Sequence, residues 1–175
     1  LVGNAPLEKA MQIECDKLGP VIFDNQDADF ANEIRKTLTA DDIAASFQRA
    51  GRETPPDLPL CDFVAPLERP SIGGEGSTDV GDVSWVTPTV QARVATCAVG
   101  TPFHTWQTVA QGKAPAAHKG MIHAAKVMAA TATHLINSPE TLKAARDIHD
   151  QRQSTTPYVC PISSDQKPPV FEQPH

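Results

Sequence analysis

One stretch of this chain alternates like a β-strand, and its solitude constrains the fold more than any other feature. Across residues 89–99, Val90, Ala92, Val94 and Ala98 fall on one side, with Gln91, Arg93 and Cys97 on the other. That is the period-two pattern of extended backbone with one face covered. A sheet of one or two strands buries little. An α/β fold is therefore expected in which helices flank a small sheet, the domain being completed by sequence outside this chain. A second short edge strand is expected in Leu60-Cys61-Asp62-Phe63-Val64, inside a segment, residues 51–70, that carries five prolines.

The rest reads as helix. Asn4 is a fitting N-cap, with Pro6 and Glu8 in the first turn and Gly19-Pro20 as the stop. Residues 27–38 carry Phe30, Ile34 and Leu38 on one face, and Thr39 caps a short helix that turns Ile43 and Phe47 inward. Residues 119–136 are the clearest amphipathic helix, with Met121, Ala125, Met128, Ala129, Ala132, Leu135 and Ile136 as an apolar stripe expected to be core. Ser138-Pro139-Glu140 opens a last helix running to about Gln151. The organisation expected is a helical segment over 1–50, a proline-rich connection over 51–71, a sheet-and-helix part over 72–153, and a surface or disordered tail over 154–175.

Composition narrows the function classes. With 175 residues, 40% apolar and 21% charged, the chain can build a core. Its net charge of −6, without a basic cluster, lacks the footprint of a nucleic-acid binder. No apolar run reaches the length of a membrane span. Cys15, Cys61, Cys97 and Cys160 are scattered without a CxxC pair, which suits reduced thiols in a cytoplasmic protein. The opening Leu1-Val2-Gly3-Asn4, with no initiator Met and no signal peptide, points to trimmed ends or a piece of a longer polypeptide.

Two loops bracket the alternating stretch and carry the polar chemistry. Before it comes Gly73-Gly74-Glu75-Gly76-Ser77-Thr78-Asp79-Val80-Gly81-Asp82, where glycines let backbone N–H groups approach an anion and hydroxyls add donors. The other reading of this loop is an ordinary flexible connection, and it matches neither a P-loop nor a nucleophile elbow. After the stretch comes Gly100-Thr101-Pro102-Phe103-His104-Thr105-Trp106-Gln107. An imidazole there can ligate a metal or relay a proton; the alternative is a partly buried histidine bonded to backbone. His118, His123, His134 and His149 form no His-Glu-x-x-His pattern and are expected on helix surfaces or boundaries. Lys113, His118 and Lys119 could bind an acidic substrate or solvate a helix start.

Taken with Ala117-His118-Lys119-Gly120-Met121, those two loops resemble the dinuclear-metal amidohydrolases and carboxypeptidases of metallopeptidase family 20, over nearly the whole chain. The resemblance implies the C-terminal portion of a mixed-sheet α/β catalytic domain, which a smaller lid or dimerisation domain interrupts. It implies His104 as a metal ligand, and Gly76, Ser77, Thr78 and Asp79 as the border of the substrate pocket. Thr78 stands where relatives often carry Glu. It implies two divalent ions, zinc or manganese, with the other ligands and the general-base Glu outside this chain, so that no catalytic residue falls within it. The activity implied is hydrolysis of the amide of a small-molecule N-acyl amino acid such as aminobenzoyl-glutamate, by a homodimer or hetero-oligomer, with this segment inactive alone. The alternative is a non-catalytic domain that binds a small molecule or a partner.

Overall fold

In the computed structural model, the described residues are 1–54, 57–68 and 78–167. They form seven helices: α1 (Ala5–Leu18), α2 (Asn25–Arg35), α3 (Ala40–Arg49), α4 (Val80–Val86), α5 (Trp106–Gln111), α6 (Pro115–Ile136) and α7 (Pro139–Thr155). There is no strand among the described residues.

The first three helices begin where side-chain chemistry dictates. Asn4 caps α1 by accepting from the Leu7 N–H, and Gly19 ends it at φ 72, a conformation that a Cβ disfavours. Asp24 and Asp27 form a reciprocal capping box at α2, and Thr39 and Asp42 form another at α3. Pro115 and Pro139 occupy the first turns of α6 and α7, where the missing N–H has no intrahelical partner to lose.

Helix α1 packs on α6 and α7, and α6 packs on α7. Leu7, Ala10 and Met11 of α1, Val127 of α6 and Ala145 of α7 are buried there. Buried Asn4 stitches the layer by donating from Nδ2 to the Ala145 carbonyl at 2.9 Å. A second apolar cluster joins Ala31 and Ile34 of α2 with Leu60, Ala98 and Ala116, and Phe23 packs against it. Between α2 and α6, Lys119 Nζ donates to Asp24 at 2.6 Å and also to Asp27. Short α4 is anchored from two directions: Val2 N–H donates to Ser84 Oγ at 2.8 Å, while Tyr158 stacks on Trp85 and donates to Asp82 at 2.8 Å.

The α/β expectation is overturned: the described residues are helices and connections. Residues 90–94 keep the facing that their alternation implies, with Val90, Ala92 and Val94 half-buried and Gln91 and Arg93 exposed, whereas Cys97, expected on the outer side, is half-buried. Among the described residues they have no neighbouring strand to pair with. Instead the backbone lies against α6, where Gly120 leaves room for it; a Cβ on Gly120 would overlap the Ala95 carbonyl and come within 2.8 Å of Thr96 Cγ2. The edge strand expected at residues 60–64 is absent as well, and one backbone bond, Val99 N–H to Pro59 O at 2.8 Å, joins the two segments. Period two reports an extended chain over an apolar surface, and a ladder needs a second chain that periodicity does not supply.

The α6 stripe is a second correction. Ala116, Gly120, Val127 and Thr131 form the buried face, whereas Met121, Met128 and Ile136 are 61%, 64% and 75% exposed. The helix is apolar on two sides, and α1 and the extended segment cover one of them.

Candidate functional site

His104 lies in a turn whose backbone is held from inside the protein. Gly100 opens it at φ 96, a left-handed conformation, pressed against Ile43 of α3 so closely that a Cβ would sit 2.8 Å from Ile43 Cγ1 and 3.0 Å from its Cα. Thr101 Oγ1 donates to the Ala98 carbonyl at 2.7 Å. The Pro102 carbonyl accepts two hydroxyls, from Thr105 at 2.8 Å and Thr108 at 2.7 Å. Gln111, buried in the last turn of α5, accepts from the Ala98 N–H at 2.7 Å and donates to Thr101 Oγ1 and to the Gln107 carbonyl, both at 3.0 Å.

His104 itself sits at φ 62, the one non-glycine residue with positive φ among those described. Its side chain is exposed and has no hydrogen-bond partner among the described residues, unlike the partly buried, backbone-bonded histidine considered from sequence. Phe103 beside it is 73% exposed and Trp106 60%. The turn therefore presents an exposed imidazole, flanked in sequence by two exposed aromatic side chains, on a hydrogen-bonded base.

The other sequence candidates are distributed elsewhere. Gly76 and Ser77, with the glycines before them, lie outside the described residues. Thr78 Oγ1 accepts from the Val80 N–H at 3.3 Å, and Asp79 immediately precedes α4 without a side-chain capping bond. Among the described residues, no hydrogen bond joins Thr78 or Asp79 to the His104 turn. The glycine-rich loop expected through Asp82 instead gives way to helix at Val80.

Lys119 is committed to Asp24 and Asp27, and those partners hold its ammonium above the ordinary lysine range and Asp24 below the ordinary carboxylate range. Lys113 and His118 are exposed. His134 meets Glu14 across α1 and α6, and His149, expected at a helix surface or boundary, is buried with Nε2 3.1 Å from the Trp85 carbonyl.

A cleft of about 440 Å³ runs beside residues 90–101, between α1, α3 and the 61–67 segment. Phe103 joins its lining and His104 does not. Cys15, Cys61 and Cys97 line it, and burial pushes all three thiols up, which keeps them protonated and unreactive at neutral pH. All four cysteines are free.

Among the described residues, no group of three or more His, Cys, Asp or Glu side chains could hold a metal ion. A catalytic zinc draws about three protein ligands. The described part of the chain thus does not by itself fit the pair of ions that the resemblance implies. Nor is any helix among the described residues long and apolar enough to cross a membrane.

Comparison with known proteins adds one decisive similarity. The chain is 39% identical over 179 aligned positions to the B subunit of p-aminobenzoyl-glutamate hydrolase from Escherichia coli (strain K12), an alignment taking in 94% of this chain. The chain is homologous to part of that protein. It spans 36% of that protein's length. No family model matches the chain, and no solved structure matches it.

Sequence reasoning singled out His104 and did not anticipate the hydrogen bonds beneath its turn. Gln111, Thr101 and Thr108 carry no motif, and an expected ladder would have satisfied the Ala98 N–H without Gln111. The available signal was two glutamines, Gln107 and Gln111, four residues apart on a short helix, with one of them facing inward.

Proposed function

We propose that this chain is part of a hydrolase that cleaves the amide bond of an N-acyl amino acid such as aminobenzoyl-glutamate. In this reading His104 is the chain's contribution to the reacting centre. The observation that carries the reading is the conformation of His104. A non-glycine residue in the left-handed region persists only where its surroundings impose it, and such outliers gather at functional sites. Packing gives this ring no reason to be there, since it is exposed and unbonded among the described residues.

Homology to a protein named for aminobenzoyl-glutamate hydrolysis supplies the chemical class. His104 offers one nitrogen as a ligand to a divalent ion, zinc or manganese, while the remaining ligands and the general base come from outside the chain. Bound metal supplies polarisation of the scissile carbonyl and activation of water. Within this chain, the stiff turn holds the backbone that carries the imidazole, and Thr78 and Asp79, with Gly76 and Ser77, border the substrate. The relative is named as one subunit of its hydrolase, which supports assembly with further chains, as a homodimer or hetero-oligomer. Four free thiols support a reducing, cytoplasmic setting.

The test is His104→Ala in the complete protein, followed by release of aminobenzoate from aminobenzoyl-glutamate. A fall of a hundredfold or more in kcat/KM is expected, with this chain alone turning over no substrate. Activity retained within about tenfold, a barrier change of about 1.4 kcal/mol, rules the assignment out.

A further inference from the structure

The strained turn rests on one buried amide, and we propose that Gln111 is the positioning residue that keeps His104 in its left-handed, outward-facing conformation. The proposal builds on the reading of His104 as the functional side chain. Gln111 is 3% exposed, yet both ends of its carboxamide are engaged. Oε1 takes the Ala98 N–H, which has no strand partner among the described residues. Nε2 holds Thr101 Oγ1 and the Gln107 carbonyl. The orientation of the amide is fixed by these partners, because an N–H faces the oxygen and a carbonyl faces the nitrogen.

One side chain thus ties the segment entering the turn, the turn itself and the helix leaving it. Left-handed backbone at a residue with a Cβ is unfavourable alone, so the turn relaxes when its ties are cut. The hydroxyl bonds to the Pro102 carbonyl are local to residues 102–108 and leave the entry at Ala98 free. Gln111 alone among these groups ties the entry at Ala98 to residues beyond His104.

Isotope-labelled protein carrying Gln111→Ala, observed by NMR, tests the hold on the turn. Expected are amide exchange at least tenfold faster at residues 98–105, and a His104 HN–Hα coupling moved toward a conformational average. The amides of α1, α6 and α7 should stay as in the wild type. An unchanged coupling, or faster exchange spread evenly over the helices, overturns the proposal.

Gln111→Glu guards against misfolding of the alanine variant and adds a signature that space-filling cannot produce. Ionised, it loses the donor to the Gln107 carbonyl; protonated, it regains an O–H. The His104 coupling should therefore return toward its wild-type value on acidification, and a pH-independent coupling counts against the proposal.

Turnover of aminobenzoyl-glutamate by the complete protein tests the consequence. Gln111→Ala should lower kcat at least tenfold with KM changed less than about twofold, and unchanged kcat with a loosened turn overturns the positioning role. Should His104→Ala retain full turnover, the reading of His104 falls instead, while the coupling and exchange still decide whether Gln111 holds the turn.

Discussion

At φ 62 the Cβ of His104 crowds the following carbonyl, a conformation that glycine takes without penalty. The turn is therefore a place where substitution separates strain from chemistry. His104→Gly should be more stable than His104→Ala by about 1 kcal/mol, since both remove the ring and only one keeps the Cβ in the left-handed region. Urea unfolding of the two variants measures it, and equal stabilities would mean that the turn is not strained. The histidine was legible from sequence because Gly-Thr-Pro-Phe-His breaks a periodic run. Its backbone conformation was not, because φ at one residue depends on bonds from Ala98, Thr101 and Gln111 that converge only in three dimensions.

Among the elements, α6 shows where periodicity misleads. The stripe from Met121 to Ile136 has the spacing of a core face, but the buried residues of the helix are the smaller set Ala116, Gly120, Val127 and Thr131. Small residues win that side because the 95–96 backbone must pass directly over Gly120. Val127→Ala, at 1% exposure, should destabilise by about 2 kcal/mol. Met128→Ala, at 64% exposure, should change stability by less than about 0.5 kcal/mol. Chemical denaturation of both variants decides between the faces, and a larger loss at Met128 would restore the stripe as core. Helix boundaries fared better: Asn4 and Thr39 cap as their chemistry suggests, since a capping bond closes within a few residues and needs nothing distant.

Over the whole molecule, the α1–α6 contact carries a charge dependence. Glu14 Oε1 lies 2.7 Å from both Lys17 Nζ and His134 Nδ1. The Lys17 bond, and next the His134 bond, hold the Glu14 carboxyl below its ordinary range. With the folded value below the unfolded one, its contribution is fully present above about pH 4.3 and is lost as pH falls through the lowered folded value. The stability gap between wild type and Glu14→Gln should therefore be widest near neutrality and close in acid. Unfolding across a pH series checks this, and a gap that widens on acidification would refute the linkage.

Caps, helix stops and the break in periodicity before His104 were all written in local chemistry, because each rests on interactions among residues a few positions apart. The fate of the alternating segment, the choice of buried face on α6 and the posture of His104 were settled by packing. An extended chain becomes a strand only beside another, an apolar stripe becomes core only where something covers it, and a strained residue stays strained only while buried partners hold it.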